Sequence, residues 1–201
     1  MPPLSTGVNG VMRNRRSPGF SLGPIEFLIL ANILMFIVTL IRPELRFSLG
    51  LNQLLFPDRP WTLLTSMFVH ADFWHVFANM FTLYFFGRYV HMLVGEGKFL
   101  LVYFVGGLLG GGLYLLMSSP FSIAVGASGA VFAVAGALTV MRPKLRVFII
   151  PIPVPLPLWV AVIGGCLIIS FFPYVAWQAH LGGLVFGLVM GYFFRRKRRF
   201  F

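Results

Sequence analysis

Apolar residues along this chain fall into six runs, separated by connections that are mostly short, apart from a long one at 42–73. The runs are 24–41, 74–93, 98–117, 128–140, 157–172 and 175–194. Runs of this kind are typical of transmembrane helices, which need about 20 apolar residues to cross a hydrocarbon layer of ~30 Å. The pattern therefore predicts an all-α polytopic membrane protein, with a bundle of six transmembrane helices over residues 24–194.

The fourth run is the shortest, and we expect residues 123–127 to complete that span. A span that begins below the membrane surface is typical of backbone that lines a cavity inside the bundle. The connection 42–73 is too long for a simple turn and is rich in Leu and Phe, so we expect it to lie partly in the outer leaflet.

Composition agrees with the hydropathy pattern. Hydrophobic residues make up 58% of the chain and charged residues 10%, and the mean hydropathy is +0.88, which excludes an ordinary soluble domain. Residues 1–23 are rich in Pro and Gly and are predicted to form a flexible cytoplasmic tail. The single cysteine, Cys166, excludes an internal disulfide, and we expect it to be a packed thiol.

The sixteen Lys and Arg residues indicate the orientation. All of them except Arg42, Arg46 and Arg59 fall at the chain termini or in alternate connections, which predicts that both termini are cytoplasmic. This topology explains nearly all of the formal net charge of +11, so we expect no nucleic-acid binding. Residues 195–201 are predicted to form a basic cytoplasmic tail suited to anionic lipid headgroups.

Ser128 and His180 are the candidate chemical groups. Ser128 lies 142 − 128 = 14 residues before Arg142, or ~21 Å of helix, and His180 lies 195 − 180 = 15 residues before Arg195, or ~22 Å. The hydroxyl and the imidazole are therefore predicted at the same depth, roughly 10 Å below the outer face. A serine in a membrane helix is most often a packing residue, but a buried histidine is costly without a role, and the pair suggests a nucleophile with its base.

Small residues follow both candidates at helical spacing. They are Gly183, Gly187 and Gly191 after His180, and Gly129, Ala133 and Gly136 after Ser128. Helix packing alone would explain such strips, because small residues let helix backbones approach each other in lipid. With Ser128 and His180 at the outer ends of the strips, we expect the packing to hold the two side chains together.

His75 and Asn79 lie four residues apart at the start of the second run, on one helix face. His75 is 88 − 75 = 13 residues from Arg88, or ~20 Å, which is again the same depth. Both are natural donors to the oxyanion formed when an amide carbonyl is attacked, each worth ~3 kcal/mol of barrier. The alternative is that they only link loop and helices through hydrogen bonds.

Four motifs resemble those of the rhomboid intramembrane serine proteases. They are His75-Val76-Phe77-Ala78-Asn79, Gly95-Glu96-Gly97-Lys98-Phe99 with Tyr103, Gly126-Ala127-Ser128-Gly129-Ala130, and Ala179-His180-Leu181-Gly182-Gly183 with Gly187. The resemblance covers residues 24–194 and implies a rhomboid-like membrane domain. It implies Ser128 as nucleophile and His180 as general base and then acid. It also implies an oxyanion site formed by His75, Asn79 and the backbone amide of Ser128.

The chain departs from that family at several positions. It has Trp61-Thr62 where a Trp-Arg pair is common, and Phe132 where a tyrosine is common. Phe132 is still expected to stack on the His180 ring. His91 replaces a frequent glutamate, and His70 resembles a loop histidine with a structural role.

Acidic residues are too few for other protease chemistries. Only Glu26, Glu44, Asp58, Asp72 and Glu96 are present, and none lies in the body of a run near Ser128 or His180. We therefore expect a Ser-His dyad rather than a triad, no aspartyl or zinc protease chemistry, and no cofactor or metal.

Hydrolysis requires water, so Ser128 is expected to face a cavity open to the outer side. Transmembrane proteins are the predicted substrates, and they would enter sideways and be cut where their helices unwind, near the outer face. Pro151, Pro153, Pro155 and Pro157 precede the fifth run and suggest that it moves to admit substrate, although they also suit a simple end to the connection.

Two other functional classes remain open at this point. A catalytically inactive rhomboid-like adaptor or chaperone would bind membrane helices without cutting them. A transporter or haem-binding bundle is disfavoured by the absence of intramembrane carboxylates, inverted repeats and a facing histidine pair. The minimal six-span form, with both ends inside, suggests a prokaryotic inner or cell membrane.

Overall fold

The computed structural model describes residues 22–148 and 153–197, and these are mostly helical. The helices are α1 (Pro24–Ile41), α2 (Leu45–Leu49), α3 (Thr62–Thr65), α4 (Phe73–Thr82), α5 (Arg88–Val94), α6 (Glu96–Met117), α7 (Ser128–Met141), α8 (Gly165–Ser170) and α9 (Trp177–Lys197). A 3-10 turn covers Ser66–Phe68, and π-helical segments cover Leu83–Gly87 and Val160–Gly164. Strands β1 (Arg146–Val147) and β2 (Leu156–Pro157) form one antiparallel pair.

The predicted tails lie almost entirely outside the described residues. Of the tail 1–23, only Leu22 and Gly23 are described, and of the basic tail 195–201, only the first three residues, which continue α9. Pro151 of the proline cluster also lies outside the described ranges, while Pro157 belongs to β2.

Each of the six apolar runs coincides with helical structure. The second run is α4, a π segment and α5 in continuous succession, and the fifth is a π segment followed by α8. Among the described residues, two helices are long and apolar enough on their own to cross a membrane, Pro24–Ile41 and Glu96–Met117, while Ser128–Met141 and Val160–Ser170 are shorter apolar helices. The helical architecture is thus confirmed, whereas the count of six spans and the cytoplasmic termini stay predictions.

The segment 123–127, which was expected to complete the fourth span, is irregular backbone ending in a turn and is not helix. Ala124 pairs with Leu51 in an isolated antiparallel bridge, and the N–H of Gly126 donates to the carbonyl of Ser66 at 2.9 Å. Gly126 has φ +124°, outside the range of an α-helix. These contacts hold the chain away from helical geometry until Ser128, so α7 begins inside the bundle.

Helix α7 lies at the centre of the molecule, with most of its residues buried against α6 and α9. Such a helix is apolar all round because every face meets protein. In contrast, α1 exposes large side chains, among them Phe27, Leu34 and Ile41. Exposed apolar residues on a peripheral helix suit contact with lipid.

Glycines bring α9 into direct contact with α7. A Cβ placed at Gly183, Gly187 or Gly191 would overlap the backbone carbonyl of Gly129, Ala133 or Ala137, respectively. The predicted packing strip on α9 is therefore confirmed. Its register on α7 runs through Gly129, Ala133 and Ala137, and Gly136 lies beside it, facing the carbonyl of Leu184.

The connection between α1 and α4 is folded onto the end of the bundle that carries Ser128. The side-chain amide of Asn52 donates to the carbonyls of Pro120 and Ser122, both at 2.8 Å, and joins this connection to the loop before α7. Phe47 and Trp61 are exposed. Exposed aromatic residues of this kind suit a membrane interface.

Candidate active site

Ser128 and His180 lie in contact, although 52 residues separate them in the chain. Ser128 is the first residue of α7 and is half-buried, and His180 is in the first turn of α9 and is buried. The Oγ of Ser128 lies 2.7 Å from Nε2 of His180. A serine hydroxyl at hydrogen-bond distance from an imidazole nitrogen is arranged for general-base activation of the oxygen.

Phe132 lies one helical turn after Ser128, and its ring packs against the imidazole of His180. The two ring centroids are 4.9 Å apart and the planes are tilted by 36°. Nδ1 of His180 is buried and has no hydrogen-bond partner within the described part of the chain. The ring is thus held by Phe132 and Ser128, without a carboxylate behind it.

His75 is oriented by the residues that begin α4. Asp72 caps this helix, because its Oδ1 accepts the N–H of His75 at 2.9 Å. The N–H of Ala71 approaches Nδ1 of the His75 ring at 3.5 Å, which assigns the ring proton to Nε2. Sequence reasoning missed this cap, although an Asp directly before an apolar helical run is a recognised start signal.

The Nε2 atom of His75 faces Gly126, on the turn that precedes Ser128. A Cβ placed at Gly126 would lie 2.6 Å from this nitrogen and 3.7 Å from Oγ of Ser128. A side chain at Gly126 would therefore fill the space between imidazole and hydroxyl. Together with its positive φ, this makes glycine necessary at the position.

Asn79 lies one turn after His75 and is buried. Its Nδ2 donates to the carbonyl of His75 at 2.8 Å. In the described structure no hydrogen bond joins Asn79 to Ser128 or His180. This bond lies within α4 and does not join the helix to a loop, so both the linking role and the part of Asn79 in oxyanion binding stay predictions.

His70 joins the outer loop to the turn before α7. It is fully buried, its Nε2 accepts the N–H of Ala127 at 3.4 Å, and its ring meets the His75 ring edge-on at 4.9 Å. Desolvation by burial and, to a lesser extent, neighbouring His75 lower the pKa of His70 to about 3, against the opposing effects of the Phe68 backbone and Asp72. A neutral His70 thus contacts both the turn before Ser128 and the ring of His75.

The other departures from the expected motifs lie away from Ser128. Thr62 donates its hydroxyl to the carbonyl of Arg59 at 2.6 Å, and the His91 ring lies 6.1 Å from that of Phe99. Cys166 is buried in α8 and is a free thiol. Within the described ranges, no group of three His, Cys, Asp or Glu side chains is arranged to hold a metal ion.

Comparison with known proteins identifies the family. The Rhomboid domain model matches residues 57–197. RHOMBOID-like protein 1 of Arabidopsis thaliana is 31% identical over 148 residues, which are 73% of this chain and 38% of that protein. Rhomboid protein 1, mitochondrial, of Saccharomyces cerevisiae is 29% identical over 66% of this chain and 41% of its own length. Rhomboid protease GluP of Bacillus subtilis is 37% identical over 43% of this chain and 17% of its own length.

The chain spans less than half the length of each of these relatives. Two of the three come from eukaryotes, a plant and a yeast, so the comparison does not support the expectation of a prokaryotic membrane. The family model covers well over half of the chain and includes Ser128, His180, His75 and Asn79. The chain therefore belongs to the rhomboid family of helical membrane proteins.

Proposed function

We propose that the protein is an intramembrane serine endopeptidase that hydrolyses peptide bonds of transmembrane proteins near the outer face, using a Ser128-His180 dyad. The observation that carries this proposal is the 2.7 Å contact between Oγ of Ser128 and Nε2 of His180. Membership of a family that includes proteins named rhomboid proteases supports it.

The reaction begins with proton transfer from Ser128 to His180. As Oγ attacks the scissile carbonyl carbon, Nε2 takes its proton, and the imidazolium then gives that proton to the leaving amine. In the second step His180 takes a proton from the water that attacks the ester carbonyl of the acyl-enzyme. The imidazolium then gives this proton to Oγ of Ser128 as the C–O ester bond breaks, which releases the acid and restores the dyad. Contact with the Phe132 ring keeps the imidazole facing Ser128 through both steps.

The oxyanion of each tetrahedral intermediate is stabilised from the side of Gly126. Nε2 of His75 carries the ring proton and faces this space. Ser128 is the first residue of α7, where backbone N–H groups have no acceptor within the helix and the helix dipole is positive. These groups act as donors to the oxyanion, and Asn79 contributes by holding the His75 backbone and by its amide.

We propose six spans with both termini cytoplasmic, so that Ser128 and His180 lie toward the outer side. The non-helical backbone before Ser128 and the folded connection 42–73 would line a cavity that admits water. The fifth span starts with a π-helical segment, Val160–Gly164, after a proline-rich connection. Irregular backbone there would let this span move and admit substrate from the lipid.

A labelling and cleavage experiment tests the proposal. The purified protein is treated with a fluorophosphonate and incubated with a panel of transmembrane substrates, alongside Ser128→Ala, His180→Ala and the control Ser170→Ala. Ser170 is a helical serine whose hydroxyl bonds the carbonyl of Cys166 in α8. Wild type and Ser170→Ala should label and cleave, and the two dyad variants should do neither.

Two results would contradict the peptidase proposal. Labelling that survives Ser128→Ala would assign the reactive hydroxyl elsewhere. A folded wild-type protein that neither labels nor cleaves across the panel would instead favour an inactive adaptor or chaperone that binds membrane helices.

A further inference from the structure

A basic pocket lies at the end of the bundle opposite Ser128. It has a volume of about 400 Å³ and is lined by three cationic side chains, Arg142, Lys144 and Arg195. Helix α7 runs from Ser128 to Met141, so the pocket lies ~20 Å from the dyad. Small-molecule sites commonly occupy about 300 to 1,000 Å³, so the pocket is large enough for a lipid headgroup.

The cationic groups of the pocket are not neutralised by the protein. Within the described residues, no Asp or Glu lines the pocket. The ion pairs among those residues, Arg42 with Glu44 and Arg88 with Glu26, do not involve the pocket's cations. Membrane insertion favours basic residues on the cytoplasmic side but does not require them to surround a cavity. Three uncompensated cations around one concave site indicate an anionic ligand.

The backbone that carries these cations is held from two sides. The N–H of Leu145 donates to the carbonyl of Arg142 at 3.0 Å and closes a tight turn. The carbonyl of Leu145 in turn accepts the N–H of Leu158 at 2.8 Å, next to the β1-β2 pair. These bonds fix the backbone of the turn before a ligand arrives, which lowers the entropic cost of binding.

Arg195 and Arg142 are anchored by further contacts. Nη1 of Arg195 approaches the carbonyl of Val140 at 3.4 Å. The guanidinium of Arg142 lies 5.9 Å from the ring centroid of Tyr89. Planar guanidinium groups held at one site suit the oxygens of a phosphate, which they bind through two parallel hydrogen bonds.

The remaining lining is apolar and identifies the kind of phosphate compound. Met141 and Leu145 line the pocket beside the cations, together with the ring of Tyr89. A free inorganic ion would make no use of this surface, whereas the glycerol and upper acyl carbons of a lipid would cover it. Basic pockets between helices at the cytoplasmic surface are known to suit anionic headgroups.

We propose that this pocket binds the phosphate headgroup of an anionic membrane lipid. The phosphate lies among Arg142, Lys144 and Arg195, and the glycerol and upper acyl carbons lie against Met141 and Leu145. The lipid would tie the end of α7 to the end of α9. The site does not use the Ser128-His180 chemistry, so failure of either proposal leaves the other untouched.

The experiment measures binding of short-chain lipids to the delipidated full-length protein in neutral detergent. The probes are dihexanoyl phosphatidylglycerol, dihexanoyl phosphatidylcholine and inorganic phosphate. We expect phosphatidylglycerol to bind at least about tenfold more tightly than the other two, a difference of about 1.4 kcal/mol. Equal binding of the two lipids would overturn an anionic site, and equal binding of inorganic phosphate would assign the pocket to a soluble anion.

Two sets of charge variants separate the pocket from general attraction to a basic surface. Arg142→Gln, Lys144→Gln and Arg195→Gln together should weaken phosphatidylglycerol binding at least about tenfold. The matched control removes the same charge at the same end of the bundle, outside the pocket, through Lys98→Gln, Arg146→Gln and Arg196→Gln. Its affinity for phosphatidylglycerol should stay within about twofold of wild type. An equal loss in both sets would overturn the pocket as the site.

A single variant keeps the test decisive should the triple variant fail to fold. Lys144→Glu changes one exposed side chain in the turn after α7. It reverses a charge that faces the proposed phosphate, so phosphatidylglycerol binding should again fall at least about tenfold. Unchanged binding in folded Lys144→Glu protein would overturn the proposal.

Discussion

Gly183 of α9 lies directly against the backbone carbonyl of Gly129 in α7, with no space for a Cβ between them. Gly183 is three residues after His180 and Gly129 is next to Ser128. This close approach of the two helices therefore lies next to the point where Nε2 of His180 comes to 2.7 Å from Oγ of Ser128. Helix packing and the geometry of the dyad depend on the same contact.

The first prediction concerns that contact. Gly183→Ala should push α9 away from α7, lower the free energy of unfolding by about 1 to 3 kcal/mol and abolish cleavage. Unfolding in mixed detergent micelles and cleavage of a transmembrane substrate measure the two effects.

The matched control is Gly112→Ala in α6, where a Cβ would meet no atom within 4 Å. This variant should keep full activity, and its free energy of unfolding should rise by up to about 1 kcal/mol, because alanine favours the helix. Wild-type activity in Gly183→Ala would contradict the role of the contact.

A second prediction concerns the ring beside His180. Phe132→Ala removes the aromatic surface 4.9 Å from the imidazole, so the ring should lose its fixed orientation and kcat should fall by at least about tenfold. Phe132→Tyr keeps this surface and should retain activity within about threefold.

Phe193→Ala serves as the control for that series, because Phe193 is exposed on the far part of α9. It should cleave like wild type. Loss of activity in Phe132→Tyr as large as in Phe132→Ala would show that ring stacking is not the function of this position.

Third, His75 and Asn79 should differ in their effects on rate. His75→Ala removes a donor that faces the space beside Ser128 and should lower kcat by about 10²- to 10³-fold with little change in KM. Asn79→Ala removes a hydrogen bond to the His75 carbonyl and should cost less in kcat.

Steady-state kinetics on one substrate, with thermal unfolding of each variant, measure this difference. Equal losses of kcat in folded His75→Ala and Asn79→Ala would mean that Asn79 is as close to the oxyanion as His75. A rise in KM with unchanged kcat in His75→Ala would contradict transition-state stabilisation.

The fourth prediction follows from the lowered pKa of His70. Since this pKa is about 3 in the folded protein and about 6.5 in an unfolded chain, folding favours the neutral ring. The stability that neutral His70 contributes is complete above pH 6.5 and is lost as the pH falls from 6.5 toward 3.

Replacement by glutamine removes this titration. Unfolding free energy measured between pH 7 and pH 5 should fall more steeply for wild type than for His70→Gln, by up to about 1.4 kcal/mol per pH unit below 6.5. The difference between the two proteins isolates His70 from other groups that titrate in the same range. If the unfolding free energies of wild type and His70→Gln fall in parallel with pH, burial does not lower the pKa of His70.

The helices were predictable from sequence because apolarity over about 20 residues is a local property. Run 24–41 and helix α1 even share both ends. The irregular backbone of segment 123–127 was not predictable, because its geometry comes from contacts with Leu51 and Ser66, far away in the chain. The π segments escaped prediction for a related reason, since tertiary packing and not composition selects them.

The order of residues along the chain is enough to single out the groups available for chemistry, and it predicts a common membrane depth for them. Ser128, His180, His75 and Asn79 stand out because polar side chains in apolar runs are costly without a role. How these side chains come together follows from the folded structure. Contact between α7 and α9 sets the Ser128-His180 distance. Within α4 and its cap, Asp72 and Ala71 orient His75, whose carbonyl accepts a hydrogen bond from Asn79. The Ser128-His180 distance depends on atoms from two separate helices, so no local pattern in the chain can specify it.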